Sequence, residues 1–242
     1  MTNSTVLITT AIAPPAGMPY LKITNVATRH LTTKAAIFFW AAQGVGRIVV
    51  ADATGRAPLN EEEMEMLKAM DVEIEQITYL QNEALIKSKG KGFGEGELIK
   101  FALANSVFLK SAEAFFKCTG KVYCRNFKAI SQLINSNNIQ NMFWRWLEPG
   151  DFLRTWADVR FFYSTKEFCE THLIPAYLRS DDNKEATELG IFSMLQQTLP
   201  AATALRPLLS GFCGGSGEQY FDASLGILDT NHPCWGSVKQ PR

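Results

Sequence analysis

Apolar and polar positions change period several times along the first half of the chain. Residues 6–12 (VLITTAI) are short and β-branched and break at Pro14-Pro15, which predicts a first strand ending in a loop. Residues 25–43 carry apolar side chains at helical spacing and stop at Gly44 and Gly46. The run IVVA, residues 48–51, predicts an apolar strand core ending in Asp52 and a turn. Residues 60–70 (NEEEMEMLKAM) predict a short helix, with Asn60 as cap and acids in the first turn, where the helix dipole favours them. A third strand is expected over 72–80. Glycine then falls at every second position from Gly90 to Gly96 in SKGKGFGEGELIK, which predicts a turn, with a helix from about 97 to 109. Residues 113–126 (EAFFKCTGKVYCRN) predict a fourth strand.

Strands alternating with short helices indicate an α/β fold with a mostly parallel sheet flanked by helices. Ligands bind outside the carboxyl ends of such strands, and Asp52 and segment 117–121 stand at two of them. The second half is less regular: residues 143–163 are dense in aromatics, 184–203 read as a helix, and 211–220 (GFCGGSGEQY) form another glycine loop. No linker-like shift in composition divides the chain, so residues 1–242 are expected to form one domain, an α/β half over 1–130 with an aromatic-rich elaboration over 131–242.

The composition, 46% hydrophobic and 20% charged, is that of an ordinary soluble globular protein. The formal net charge of zero gives no global field to recruit nucleic acid, and Lys87, Lys89 and Lys91 read as a solvated local patch. Five cysteines, an odd number without a CxxC pair, argue against a disulfide scaffold or a zinc site and for buried free thiols. His30, His172 and His232 are not spaced as metal ligands. The N-terminal apolar run lacks a basic flank, and no run approaches the roughly 20 residues of a membrane span. A cytoplasmic protein is expected.

The glycine stretch satisfies neither phosphate-loop pattern: GxxxxGK is absent, and a GxGxxG reading of Gly92 and Gly94 fails at Glu97. A backbone open to close approach before a helix N-terminus would suit an anion, yet Glu95 and Glu97 would repel a phosphate there. A ligand loop and a plain turn both remain open. In FFKCTGKV, strand alternation puts Lys117, Thr119 and Lys121 on one face, opposite Phe116, Cys118 and Val122. That face could grip a phosphate or carboxylate, or be an edge strand with solvated lysines. In WADVRFFYS, Asp158 and Arg160 share a face while Val159 and Phe161 point away, as an acid/base unit or as a structural ion pair. Ser216 lacks the spacing of a nucleophile elbow.

The order of these pieces is more specific than any one of them. RIVVADATG, then KGKGFGEGELIKFALANSVFLKSAEAFFKCTGKVYCRNF, then DVRFFYSTKEF and EATELGIF, resembles a group of bacterial glycosyltransferase-like proteins encoded with capsule or O-antigen genes. Their shared elements are a strand ending in Asp, a Gly-x-Gly-Glu turn before a helix, a Phe-x-Lys-x-Thr-Gly-Arg strand and a later Asp-x-Arg-Phe segment. Lys121 stands where that pattern has arginine, which keeps the charge and loses the bidentate fork.

The resemblance implies a GT-A-like, Rossmann-like fold with a donor-binding half over 1–130 and an acceptor side over 131–242. It implies transfer of a sugar from a nucleotide sugar to a glycan or lipid-linked acceptor in lipopolysaccharide or capsule synthesis. Asp52 would contact the donor's ribose or base. Lys91, Gly94, Lys117, Thr119, Gly120 and Lys121 would line the donor and its phosphates. Glu95 or Asp158 would be the base, with Arg160 orienting the site. No Asp-x-Asp occurs in the chain, so metal-independent transfer is expected, with no cofactor. A sugar-1-diphosphate such as phosphoribosyl pyrophosphate is the alternative donor, and a non-catalytic glycan-binding scaffold subunit is the rival class. No nucleic acid is expected as partner; peripheral association with the inner face of a membrane is left open.

Overall fold

The computed structural model describes residues 2–18, 21–148, 151–195, 205–212, 214, 217 and 219–221. The elements follow in chain order. The first half contains β1 (Thr2–Thr10), α1 (Val26–Ala42), β2 (Val45–Asp52), α2 (Glu61–Ala69), β3 (Glu73–Thr78), α3 (Glu83–Lys89), α4 (Lys91–Asn105), α5 (Val107–Ser111), β4 (Ala114–Thr119) and β5 (Val122–Cys124). Then come α6 (Phe127–Ser136), β6 (Met142–Glu148), β7 (Asp151–Thr165), α7 (Lys166–Phe168), a π-helical turn (Cys169–Leu173), α8 (Ile174–Arg179), α9 (Thr187–Leu195), β8 (Leu209–Phe212) and β9 (Gln219–Phe221).

The central sheet has the order β3-β2-β1-β4-β7-β6. Its first four strands are parallel; β7 returns antiparallel to β4, and β6 is antiparallel to β7. The result is a mixed α/β fold with a mostly parallel sheet flanked by helices. Strands covered on both faces carry continuous apolar runs, as β1 and β2 do. Val6 and Ile8 pack with Ile48, Val50, Trp40 and Phe127 beneath α1 and α6. Leu7 packs with Val49, Ile99, Leu109, Tyr177 and Ile191 beneath α4, α5, α8 and α9.

Helix starts follow the asparagines. Asn25 accepts from the Thr28 N–H, and Asn60 makes a capping box with Glu63. The glycine stretch departs from expectation. It is helix: α4 begins at Lys91 and contains Gly92, Gly94 and Gly96, all buried. A glycine costs a helix about 1 kcal/mol relative to alanine, but this helix lies too close to its neighbours for side chains. A Cβ on Gly92 would stand 1.7 Å from Thr187 Oγ1, and one on Gly96 would stand 2.4 Å from Tyr177 Cβ. The helix expected over 97–109 divides at Ser106, which caps the separate α5.

The expected fourth strand is broken as well. β4 stops at Thr119, Gly120 and Lys121 turn with Lys121 at φ 74, and β5 enters a second sheet, β5-β8-β9. The backbone therefore takes Lys121 out of the alternation that Lys117 and Thr119 follow. Described aromatics of the 143–163 segment are core: Phe143, Trp144, Phe161 and Phe162 are all buried, with Trp144 stacked on Phe161 at 5.3 Å. Cys118, Cys124 and Cys169 are buried free thiols; Cys213, Cys234, His232 and Ser216 lie outside the described residues. Among the described residues no helix is long and apolar enough to cross a membrane.

Candidate active site

The carboxyl ends of β1 and β4 meet at the Thr9–Thr119 pair. From α4, Glu95 reaches this point, and its Oε1 accepts from Lys117 Nζ at 2.6 Å, Thr9 Oγ1 at 2.8 Å and Thr119 Oγ1 at 3.4 Å. Lys117 is 0% exposed and also donates to Thr119 Oγ1 at 3.0 Å and to the Val159 carbonyl at 2.7 Å. Its three ammonium protons are thus matched to three acceptors. Such complete pairing is what a charge taken wholly out of water requires. Glu95 Oε2 has no hydrogen-bond partner among the described residues, and the side chain is 18% exposed. The arrangement pins one carboxylate oxygen and leaves the other without a hydrogen bond among the described residues.

Asp158 and Arg160 come to the same edge through a bulge. Between Phe162 and Ala157, β7 takes five steps while β6 takes two, from Phe143 to Arg145. Bulges of this kind re-aim side chains beside functional sites. One consequence differs from simple alternation: Val159 packs with the α4-side core while Phe161 packs with the α1-side core. Asp158 is buried, and both its oxygens are engaged by Arg160, at 2.9 Å from Nε and 2.8 Å from Nη2.

Residues distant in sequence complete the surroundings. Tyr177 on α8 is fully buried, and its hydroxyl has no partner among the described residues. Burial pushes its pKa well above the usual value, helped by the charges of Glu95, Glu188 and Asp158. Glu188, in the first turn of α9, has a raised pKa: burial is the largest cause, and Asp182 and Glu95 add to it against the pull of Lys91. Lys91 itself is exposed on the first turn of α4. Asp182 answers the question of an anion at the α4 N-terminus. Its carboxylate accepts from the Gly92 N–H at 3.2 Å and from the Thr187 hydroxyl, so the chain supplies its own anion there.

Other expected site residues build the frame. Asp52 is fully buried and accepts from Ile12 N, Thr54 N, Thr54 Oγ1 and Arg56 N, tying together the loops that follow β1 and β2. The Gly94 carbonyl accepts from Gln81 Nε2. Gly120 donates to the Thr9 carbonyl at 2.6 Å and leaves no room for a Cβ against Thr10. Burial pushes the Cys118 thiol to about 12, which keeps it out of nucleophilic chemistry at neutral pH. Among the described residues no three His, Cys, Asp or Glu side chains converge as metal ligands do.

The strand-end rule that picked Asp52 applies equally to Thr9 on β1. For Tyr177, Glu188 and Asp182 no local signal exists, because they arrive with α8, α9 and the turn between them, far along the chain from α4.

No protein-family model and no curated protein matches the chain. Among solved structures it is similar to a candidate nucleotide-diphospho-sugar transferase from Desulfovibrio desulfuricans G20, at 9% identity and a TM-score of 0.44 over 81% of this chain and 77% of that one. It is also similar to a candidate glucose-1-phosphate thymidylyltransferase from Bacillus anthracis in complex with a sucrose, at 8% identity and a TM-score of 0.42 over 86% and 89%.

Proposed function

We propose that this protein is a glycosyltransferase, moving a sugar from a nucleotide sugar to a hydroxyl of a glycan or lipid-linked acceptor in bacterial surface-polysaccharide synthesis. The observation that supports the chemistry is Glu95, a carboxylate fixed at one oxygen by a buried lysine and open at the other, at the carboxyl edge of a parallel sheet. Glu95 Oε2 takes the proton of the acceptor hydroxyl as its oxygen attacks the anomeric carbon. The bond from that carbon to the donor phosphate breaks, and its electrons leave with the phosphate. Asp158 is the less suitable base, since Arg160 holds both its oxygens. The Gly120–Lys121 turn receives the departing phosphate, and the absence of an Asp-x-Asp sequence favours transfer without a metal.

The test is release of nucleoside diphosphate by purified protein across a panel of nucleotide sugars and acceptors, with phosphoribosyl pyrophosphate as a separate arm. Glu95→Gln keeps an oxygen for Lys117 and so keeps the fold. Its turnover is expected to fall at least about 100-fold, the usual worth of a general base. Full activity in Glu95→Gln would remove the base assignment. Loss of activity with chelator, restored only by Mg²⁺ or Mn²⁺, would remove the metal-independent reading.

A further inference from the structure

On the α1 side of the same edge, two cations meet with almost no exposure. Arg29, in the first turn of α1, is 4% exposed. Its Nε donates to the Ala11 carbonyl at 2.7 Å and Nη1 to the Ile23 carbonyl at 3.0 Å, while Nη2 makes no hydrogen bond among the described residues. Burial lowers its pKa, and Asp52 only partly opposes this, its carboxylate being shared among four loop donors. Lys121 is also 4% exposed. Its left-handed backbone is fixed by β8, whose Phe212 N–H donates to the Lys121 carbonyl at 2.9 Å.

Gly214 lies between the two. A Cβ built on it would stand 3.5 Å from Arg29 Nη1 and 3.7 Å from Lys121 Nζ, so both cationic heads converge on this glycine.

We propose that Arg29, Lys121 and the backbone at Gly214 form the binding site for the donor's diphosphate. The proposal rests on the transferase reading for the identity of the ligand and on this geometry for its place. A guanidinium with an uncommitted nitrogen offers directed N–H bonds to phosphate oxygens, and a lysine adds a point charge. Water is largely excluded from both heads, which strengthens their pull on an anion. A glycine lets a bulky phosphate approach the backbone.

The position agrees with the rest of the edge. Thr9 and Thr10, successive residues of β1, point to opposite faces: Thr9 bonds Glu95 and Thr10 meets Thr33 of α1. Diphosphate on the α1 side and base on the α4 side would therefore flank a sugar lying over the strand ends.

Calorimetric titration of the whole protein with inorganic pyrophosphate tests the site. Saturable binding that weakens with added salt is expected. Arg29→Lys and Lys121→Asn should each weaken it about tenfold, the worth of one charge-assisted contact; asparagine tolerates the left-handed turn. Arg29 also holds two loop carbonyls, so Lys121→Asn carries the test if Arg29→Lys fails to fold by circular dichroism. Wild-type affinity in the folded variants, or no binding by the native protein, would overturn the site. Competition by nucleotide sugars and by phosphoribosyl pyrophosphate identifies which donor carries the diphosphate. The two proposals fail separately. Pyrophosphate binding that depends on Lys121, without turnover of any donor, removes the transferase and keeps the site. Unchanged turnover in both variants does the reverse.

Discussion

Lys117 and Lys121 stand four residues apart in one short motif, both almost without exposure, on opposite sides of the sheet's carboxyl edge. On the α4 side, Lys117 is matched to a carboxylate, a hydroxyl and a carbonyl, and its charge is used to hold Glu95. On the α1 side, Lys121 has a second cation, Arg29, across Gly214. The same residue type thus meets a carboxylate on one side of the edge and a second cation on the other. What separates them is the turn at Gly120, which takes the chain from the central sheet into the β5-β8-β9 sheet.

The largest test of this contrast is stability. Lys117→Met removes the partner of a carboxylate in a nearly closed site and should cost about 3–5 kcal/mol. Urea unfolding would show it, with Tm falling by roughly 10 °C in a chain of this size. Lys121→Asn should cost about 1 kcal/mol, the ordinary loss for a single substitution, while its effect on pyrophosphate binding is the greater one. Equal losses from the two substitutions would erase the distinction.

Glycines sharpen the comparison at a smaller scale. Gly92→Ala drives a Cβ into Thr187 Oγ1 and should cost about 1–3 kcal/mol through overpacking between α4 and α9. Thr187→Ala in the same chain should recover part of that loss. Gly214→Ala meets nothing nearer than Lys121 Cε at 3.2 Å, the middle of a flexible side chain. It should fold normally and bind pyrophosphate less well. A destabilised Gly214→Ala with unchanged binding would mean that this glycine serves packing, as Gly92 does.

The parts of the fold governed by local rules were legible in the sequence. Helical apolar spacing and its glycine stop placed α1, the Asn60 cap placed α2, short apolar runs placed β1 to β3, and their alternation with helices gave the parallel sheet. The glycine stretch was not legible as helix, because its intrinsic preference opposes helix and the reason to pay that cost lies in Tyr177 and Thr187, some 80 to 95 residues on. Alternation put Lys117 and Thr119 on one face correctly. It could not say that Glu95 would arrive opposite them from a helix, nor that Lys121 would leave the strand. Arg29 carried no signal, since its meaning depends on where β8 and Gly214 close over α1.

The smallest expected effect concerns pH and belongs to the α4 side alone. The folded protein holds the Glu188 carboxyl above its ordinary value of 4.5, through burial and the nearby Asp182 and Glu95 charges, against Lys91. An acid with a raised folded pKa binds its proton more tightly when folded. Its stabilising contribution is therefore complete below the ordinary value and is lost as pH rises through the folded one. Glu188→Gln is neutral throughout, so it should raise Tm at about pH 7, with the difference shrinking toward zero near about pH 4. On the α1 side Arg29 keeps its charge across that range, and Arg29→Lys should show no such slope. A Tm difference for Glu188→Gln that stays constant with pH would mean that the carboxyl titrates alike in the folded and unfolded chain, and that the acidic surroundings of Glu95 exert no strain on it.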